Sequence, residues 1–138
     1  MSEIIVGYDG SDCAKAAMQT AIEVAAAYGD KVVIAFGYEV SPVAGEVQDY
    51  AAALEEMANQ RLAEGSALAT QSGAEVEAVA VRGGPAQALV ELADARDARV
   101  IVVGTRGESP LKGALLGSTP HKLLQLSDRP VLVVPAPE

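Results

Sequence analysis

Five apolar runs punctuate the chain, at residues 4–8, 32–38, 76–81, 100–103 and 131–134. Four lack strict polar alternation, as parallel strands covered on both faces do, whereas Val76-Glu-Ala-Val-Ala-Val81 alternates and suits a sheet edge. Between the runs the period lengthens to that of helices. Residues 11–28 place Met18, Ala21, Ile22 and Ala25 at i, i+3, i+4, i+7 spacing, and Gly29 closes the stretch. Residues 48–72 carry Leu54, Met57, Ala58 and Leu68, with Gly65 inside the pattern, where it is expected to cost up to ~1 kcal/mol relative to alanine. Residues 85–97 begin with proline, harmless in a first turn, and carry Ala88, Leu89, Leu92 and Ala93. A last helix starts near Ser118 and carries Leu123, Leu124 and Leu126. The resulting order, βαβαβαβαβ, predicts an α/β fold: a doubly wound parallel sheet with helices on both faces, since each right-handed crossover lays its helix on the sheet.

Length and composition narrow this picture. At 138 residues the chain is expected to form one domain, residues 1–138, with a single substantial core built from Ala, Val, Leu and Ile, because only 4% of the residues are aromatic. A net charge of −9 disfavours nucleic acid or an anionic membrane as the main partner. No signal-peptide pattern opens the sequence and no apolar run approaches the ~20 residues of a membrane span, so a cytoplasmic protein is the expectation. The single cysteine, Cys13, is compatible with a reducing compartment and is expected to pack inside the first helix.

Candidate chemistry concentrates in one stretch. The fourth strand ends at Gly104, Gly107 follows, and nine residues later Gly117-Ser118-Thr119 opens the last helix. Glycines let backbone N–H groups approach a ligand, and a helix start offers unpaired donors and the positive end of its dipole, so this strand, loop and helix favour a bound phosphate. Turn glycines and an N-cap serine would produce the same residues. Arg106 and Lys112 fall inside the loop, as phosphate counter-charges or as solvated loop residues. Lys112 does not complete a Walker loop, which needs G-x4-G-K-[ST]. Neither a triad, nor a paired acid and base, nor a metal-ligand cluster is evident, so no catalytic and no metal residue is assigned.

The spacing Gly104-x2-Gly107-x9-Gly117-Ser118, together with Val6-Gly7-Tyr8-Asp9-Gly10-Ser11, Gly83-Gly-Pro-Ala-Gln-Ala and Pro130-Val-Leu-Val-Val, resembles the universal stress protein family in its ATP-binding branch. The resemblance runs from Ile4 to Val134. It implies a five-stranded sheet in the order 3-2-1-4-5, the adenine nucleotide alpha hydrolase-like arrangement, with strands one and four side by side at the switch in strand order. Ligands of doubly wound sheets bind outside such a switch. The implied ligand is ATP or another adenine nucleotide, with Mg2+ as an optional companion. The site expected is Gly7, Asp9, Gly37, Val103, Gly104, Arg106, Gly107, Gly117, Ser118 and Thr119. In the family the aspartate matching Asp9 accepts hydrogen bonds from the nucleoside; as a structural residue Asp9 would cap the following turn. Gly37 and Val103 match positions that present backbone to adenine. Pro120 departs from many relatives, which have an N–H there.

The resemblance also implies a homodimer through the exposed strand 131–134, whose free edge would otherwise be a liability. The function expected is a stress-response binding and signalling module; the alternative is a slow ATPase or autophosphorylating enzyme with Ser109, Ser118 or Thr119 as acceptor. His121 is read as solvated or capping, and Arg82-Gly-Gly-Pro85 as a strand-to-helix turn. The irregular stretch 41–49 is either a flap over the crevice or a plain surface loop.

Overall fold

The computed structural model describes residues 1–38, 47–106 and 116–136. Among them, five strands and four helices alternate: β1 (Glu3–Gly7), α1 (Asp12–Tyr28), β2 (Lys31–Tyr38), α2 (Val47–Gln71), β3 (Val76–Arg82), α3 (Pro85–Arg96), β4 (Val100–Gly104), α4 (Ser118–Leu126) and β5 (Val131–Val134). All strand pairs are parallel and the order is β3-β2-β1-β4-β5, as expected. The alternating run forms the edge strand β3.

The pleat sends neighbouring side chains of the central strands to opposite faces. Ile4 and Val6 join Ala17, Met18, Ala21 and Leu62 under α1 and α2, whereas Ile5 joins Ala86, Leu89, Ala93 and Leu123 under α3 and α4. Alanine lets α1 lie close to the sheet. Gly65 does the same for α2: a Cβ there would sit 3.2 Å from the Tyr8 ring and 3.3 Å from Met18 Cε, so the residue expected to be a weak point is where α2 approaches the core. Of the apolar positions assigned to helices, Met57, Leu124 and Leu126 are exposed. Residues 41–46 of the irregular stretch lie outside the described residues, and 47–49 belong to α2.

Helix ends follow local chemistry. Ser11 caps α1, its Oγ accepting from the Ala14 N–H at 3.1 Å, and Gly29 closes it in the left-handed conformation. Asp97 plays the closing role on α3 with φ of 50°, and its carboxylate meets Arg129 at 3.0 Å. The Arg82-Gly-Gly-Pro85 turn is as read, with Gly83 at φ 131°, Gly84 as N-cap and Pro85 first in α3.

Ion pairs fasten the N-terminal end of the sheet, away from the strand C-termini. Glu77 accepts from Lys31 at 2.6 Å and from both Nη atoms of Arg96, which also reaches Glu3 at 3.1 Å. Asp30, buried, takes Arg99 Nε at 2.5 Å and the Ser2 N–H at 3.1 Å, and Arg99 stacks on the Tyr28 ring. The hydrogen bonds from Arg96 and Lys31 bring the Glu77 carboxyl from 4.5 down to about 2. A carboxyl depressed by folding adds stability above its unfolded value and loses it as pH falls towards its folded value. Stability should therefore drop between about pH 4.5 and 2, and in Glu77→Gln that part of the slope should flatten. Urea midpoints measured across that range check this; an unchanged slope would show the pairs to be too screened to matter.

Candidate functional site

At the C-terminal end of the sheet the chain leaves β1 towards α1 on one face and the neighbouring β4 towards α4 on the other. A cavity of about 370 Å³ opens there. Gly7 lines it at the end of β1 and Tyr8 and Asp9 just beyond, Ala35 to Gly37 line it from β2, and Val103 and Gly104 at the end of β4 are followed by Arg106. Pro85 and Leu89 of α3 and Gly117 to Pro120 at the start of α4 complete most of its wall. Nine of the ten residues expected at the site thus come together; the tenth, Gly107, lies outside the described residues, as do Ser109 and Lys112. His121 is exposed on α4 and does not line the cavity.

The wall has two chemical ends. Ala35, Phe36, Pro85, Leu89 and Val103 make one end apolar, and Arg106, Ser118 and Thr119 make the other polar. An amphipathic ligand, flat and apolar at one end and anionic at the other, fits this division. Among the described lining residues the ionisable side chains are Tyr8, Asp9 and Arg106, and among all described residues no group of three or more His, Cys, Asp or Glu is placed to hold a metal.

Each glycine has its own reason. A Cβ on Gly7 would meet Leu89 Cδ1 at 3.0 Å and Val103 Cγ1 at 3.1 Å, and one on Gly37 would meet Pro85 Cα at 3.0 Å. Both are small so that α3 can pack against the sheet, and they present backbone to the cavity as a result. On Gly104 a Cβ would lie 2.5 Å from Cys13 Cβ and 2.7 Å from the Cys13 carbonyl carbon. Gly117 differs from the expectation of a phosphate-facing amide: its N–H donates to the Thr105 carbonyl at 2.7 Å and joins the two ends of the loop.

Asp9 caps the turn after β1 and also lines the cavity. Oδ1 accepts the Ser11 N–H at 2.9 Å, an Asx turn that fixes the carboxylate at the end of β1, where it lines the cavity. Tyr8, between the two expected residues, was not anticipated. Its ring is buried and its hydroxyl donates to Glu64 Oε1 at 2.8 Å, and burial and that carboxylate push its pKa upward, keeping it a neutral donor. Cys13 is buried as expected, with Sγ 3.5 Å from Thr105 Oγ1. Burial pushes its thiol up, but the bonds from Thr105 and from the backbone at Arg106 and Ala136 outweigh it and leave the pKa below its ordinary value.

Pro85 and Leu89 were also missed. They follow β3, two strands from β1, and reach the cavity only because α3 crosses back over β2.

The sequence profile described as the Universal stress protein family matches residues 1–135. A universal stress protein of Methanocaldococcus jannaschii is 30% identical over an alignment covering 99% of this chain and 83% of the relative. Among solved structures, a universal stress protein in complex with cAMP is 34% identical, with a TM-score of 0.78 and coverage of 99% of this chain and 98% of that one. A universal stress protein from Archaeoglobus fulgidus is 25% identical with a TM-score of 0.81, covering 97% of this chain and 98% of that one.

Proposed function

The chain belongs to the universal stress protein family, and from that premise we propose that it is an adenine-nucleotide-binding module of the cytoplasm, with ATP among the nucleotides it takes. One observation carries this reading: the nine expected site residues that the structure describes line a single cavity, apolar at the β2 and α3 end and polar at the start of α4. The adenine ring lies among Ala35, Gly37, Leu89 and Val103, the Asp9 carboxylate accepts from the ribose, and the phosphate end faces Arg106, Ser118 and Thr119. The relative solved with cAMP, similar along almost its whole length, supports an adenine nucleotide as the guest. No helix among the described residues is long and apolar enough to cross a membrane.

The module works as a homodimer through β5. Leu132 on that edge strand is 37% exposed, and Leu124 and Leu126 on the adjoining α4 are exposed by more than half. Burial against a second copy would remove that apolar surface from water and pair the free edge.

Calorimetric titration of the purified chain with ATP, ADP, AMP and cAMP tests the reading. At least one should give a saturable signal, and at 100 Kd it should raise folding stability by about 2.7 kcal/mol. If none gives saturable heat or a thermal shift, and the purified protein releases no nucleotide on denaturation, the assignment reduces to the fold.

A further inference from the structure

Thr105 stands outside the cavity yet ties together three elements around it. Its neighbours Gly104 and Arg106 line the cavity, whereas neither Thr105 nor Cys13 does. The Thr105 N–H donates to the Val134 carbonyl of β5 at 3.0 Å, and its own carbonyl accepts from the Gly117 N–H at 2.7 Å. Its Oγ1 lies 3.5 Å from Cys13 Sγ in the first turn of α1. Every polar group of the residue is thus used within the protein, on β5, on the start of α4 and on α1.

The buried sulfur holds more than Thr105. The backbone at Arg106 also hydrogen-bonds it, so one thiol fastens two consecutive residues where the chain leaves β4. From the other side, a Cβ on Gly117 would lie 3.3 Å from both the Arg106 Cα and the Thr105 carbonyl oxygen, which puts the start of α4 against the same two residues. Arg106 and the Ser118-Thr119 turn form the polar end of the cavity. Arg106 is exposed, and its place follows from the backbone that carries it. Groups that hold a ligand must keep their geometry to within about 0.5 Å, which depends on the bonds of the residues behind them. The apolar end is built mainly by β2 and α3, whose packing on the sheet does not involve these bonds.

We propose that Thr105 is a positioning residue of the nucleotide site: anchored on the Cys13 sulfur and on the Gly117 N–H, it fixes Arg106 against the Ser118-Thr119 turn, and phosphate affinity therefore depends on a thiol that lines no part of the cavity. This role rests on the adenine nucleotide reading and deepens it.

The test is equilibrium titration of the full chain with AMP, ATP and adenosine, beside urea unfolding, in the wild type, Thr105→Val, Thr105→Ser, Cys13→Ala and the Thr105→Val/Cys13→Ala double variant. Thr105→Val removes the hydroxyl and keeps the shape; it should weaken both nucleotides by about three- to tenfold, the net value of one hydrogen bond, and adenosine by less than about twofold. Thr105→Ser keeps the hydroxyl and should bring nucleotide affinity back to within about twofold of the wild type. Cys13→Ala should also weaken the nucleotides more than adenosine, and the double variant should bind them no more weakly than the weaker single variant, because both substitutions break the same contact. A parallel fall in nucleotide and adenosine affinity overturns the proposal, as does a loss of stability with the nucleotide-to-adenosine ratio unchanged, since either makes Thr105 a structural residue. Additive effects in the double variant overturn it by removing the link through the thiol. Equal binding of nucleotides and adenosine by the wild type overturns it while leaving the adenine reading in place. Failure of all three compounds defeats the adenine reading itself and this role with it. If Thr105→Val does not fold, the nucleotide-to-adenosine ratio of Cys13→Ala decides.

Discussion

Replacing Gly104 by alanine is expected to lower folding stability by about 3 kcal/mol or more, at the upper end of what overpacking a core costs. The methyl group would lie 2.5 Å from Cys13 Cβ, 2.7 Å from the Cys13 carbonyl carbon and 2.8 Å from its oxygen. The last two are backbone atoms in the first turn of α1, and no rotamer change can move them. Relief requires the start of α1 to lift from β4, which unpacks Ala14, Ala17 and Met18, all at most 3% exposed. Truncating Cys13 would not help, because its carbonyl stays in place. Gly29→Ala is the useful contrast: nothing lies within 4 Å of its Cβ position, and its φ of 71° should cost only about 1–2 kcal/mol. For a chain of this size the Gly104 variant should melt roughly 10 °C lower than the wild type. A loss below 1 kcal/mol would show that α1 can slide along the sheet and that Gly104 is not what sets their distance.

The same contact shows why part of the site was legible in the sequence and part was not. Gly104, Gly107 and Gly117 stand out by spacing, yet spacing does not say what each glycine is for. Gly104 is small because Cys13, more than ninety positions earlier, lies against it, and Gly37 because Pro85 does. Such reasons are long-range, and they appear only once the strands are ordered. The order itself came from family resemblance: alternation and β-branching identify β1 to β5 as strands, but no local feature places β4 beside β1. Gly117 is the clearest limit. Its N–H had been expected to face a phosphate, and only the fold shows that the Thr105 carbonyl takes it.

Helix faces were legible to a similar degree. In α1 the stripe of Met18, Ala21, Ile22 and Ala25 is buried as its spacing implies. In α4 Leu123 is buried while Leu124 and Leu126 point outward, because nine residues give a helix of barely more than two turns and leave its phase undetermined. The Glu3, Lys31, Glu77 and Arg96 cluster was invisible, since its members sit on three strands and a helix that only the parallel register brings to one end. Charges far apart in sequence carry no pattern that announces a pairing.

Ser118→Asp should weaken binding of every phosphate-bearing adenine nucleotide by roughly 100-fold or more, while changing adenosine affinity by less than about threefold. Ser118 is the first residue of α4, its side chain is exposed, and it lines the cavity at the polar end, so an aspartate fits without disturbing the core. Its carboxylate would stand where the phosphate is proposed to bind. Two unit charges 4 Å apart repel by about 4 kcal/mol at an effective dielectric of 20, and salt reduces this without removing it. Folding should respond in the opposite direction. A negative side chain in the first turn of a helix complements the dipole, and the variant should be as stable as the wild type or more stable by about 0.3–1 kcal/mol. Lost phosphate affinity in a protein that is no less stable separates a binding role for Ser118 from a structural one. Titration with AMP and adenosine, beside urea unfolding of the same samples, reads both quantities. Equal weakening of AMP and adenosine would place the phosphate elsewhere, and unchanged binding of both would mean that the start of α4 is not part of the nucleotide site.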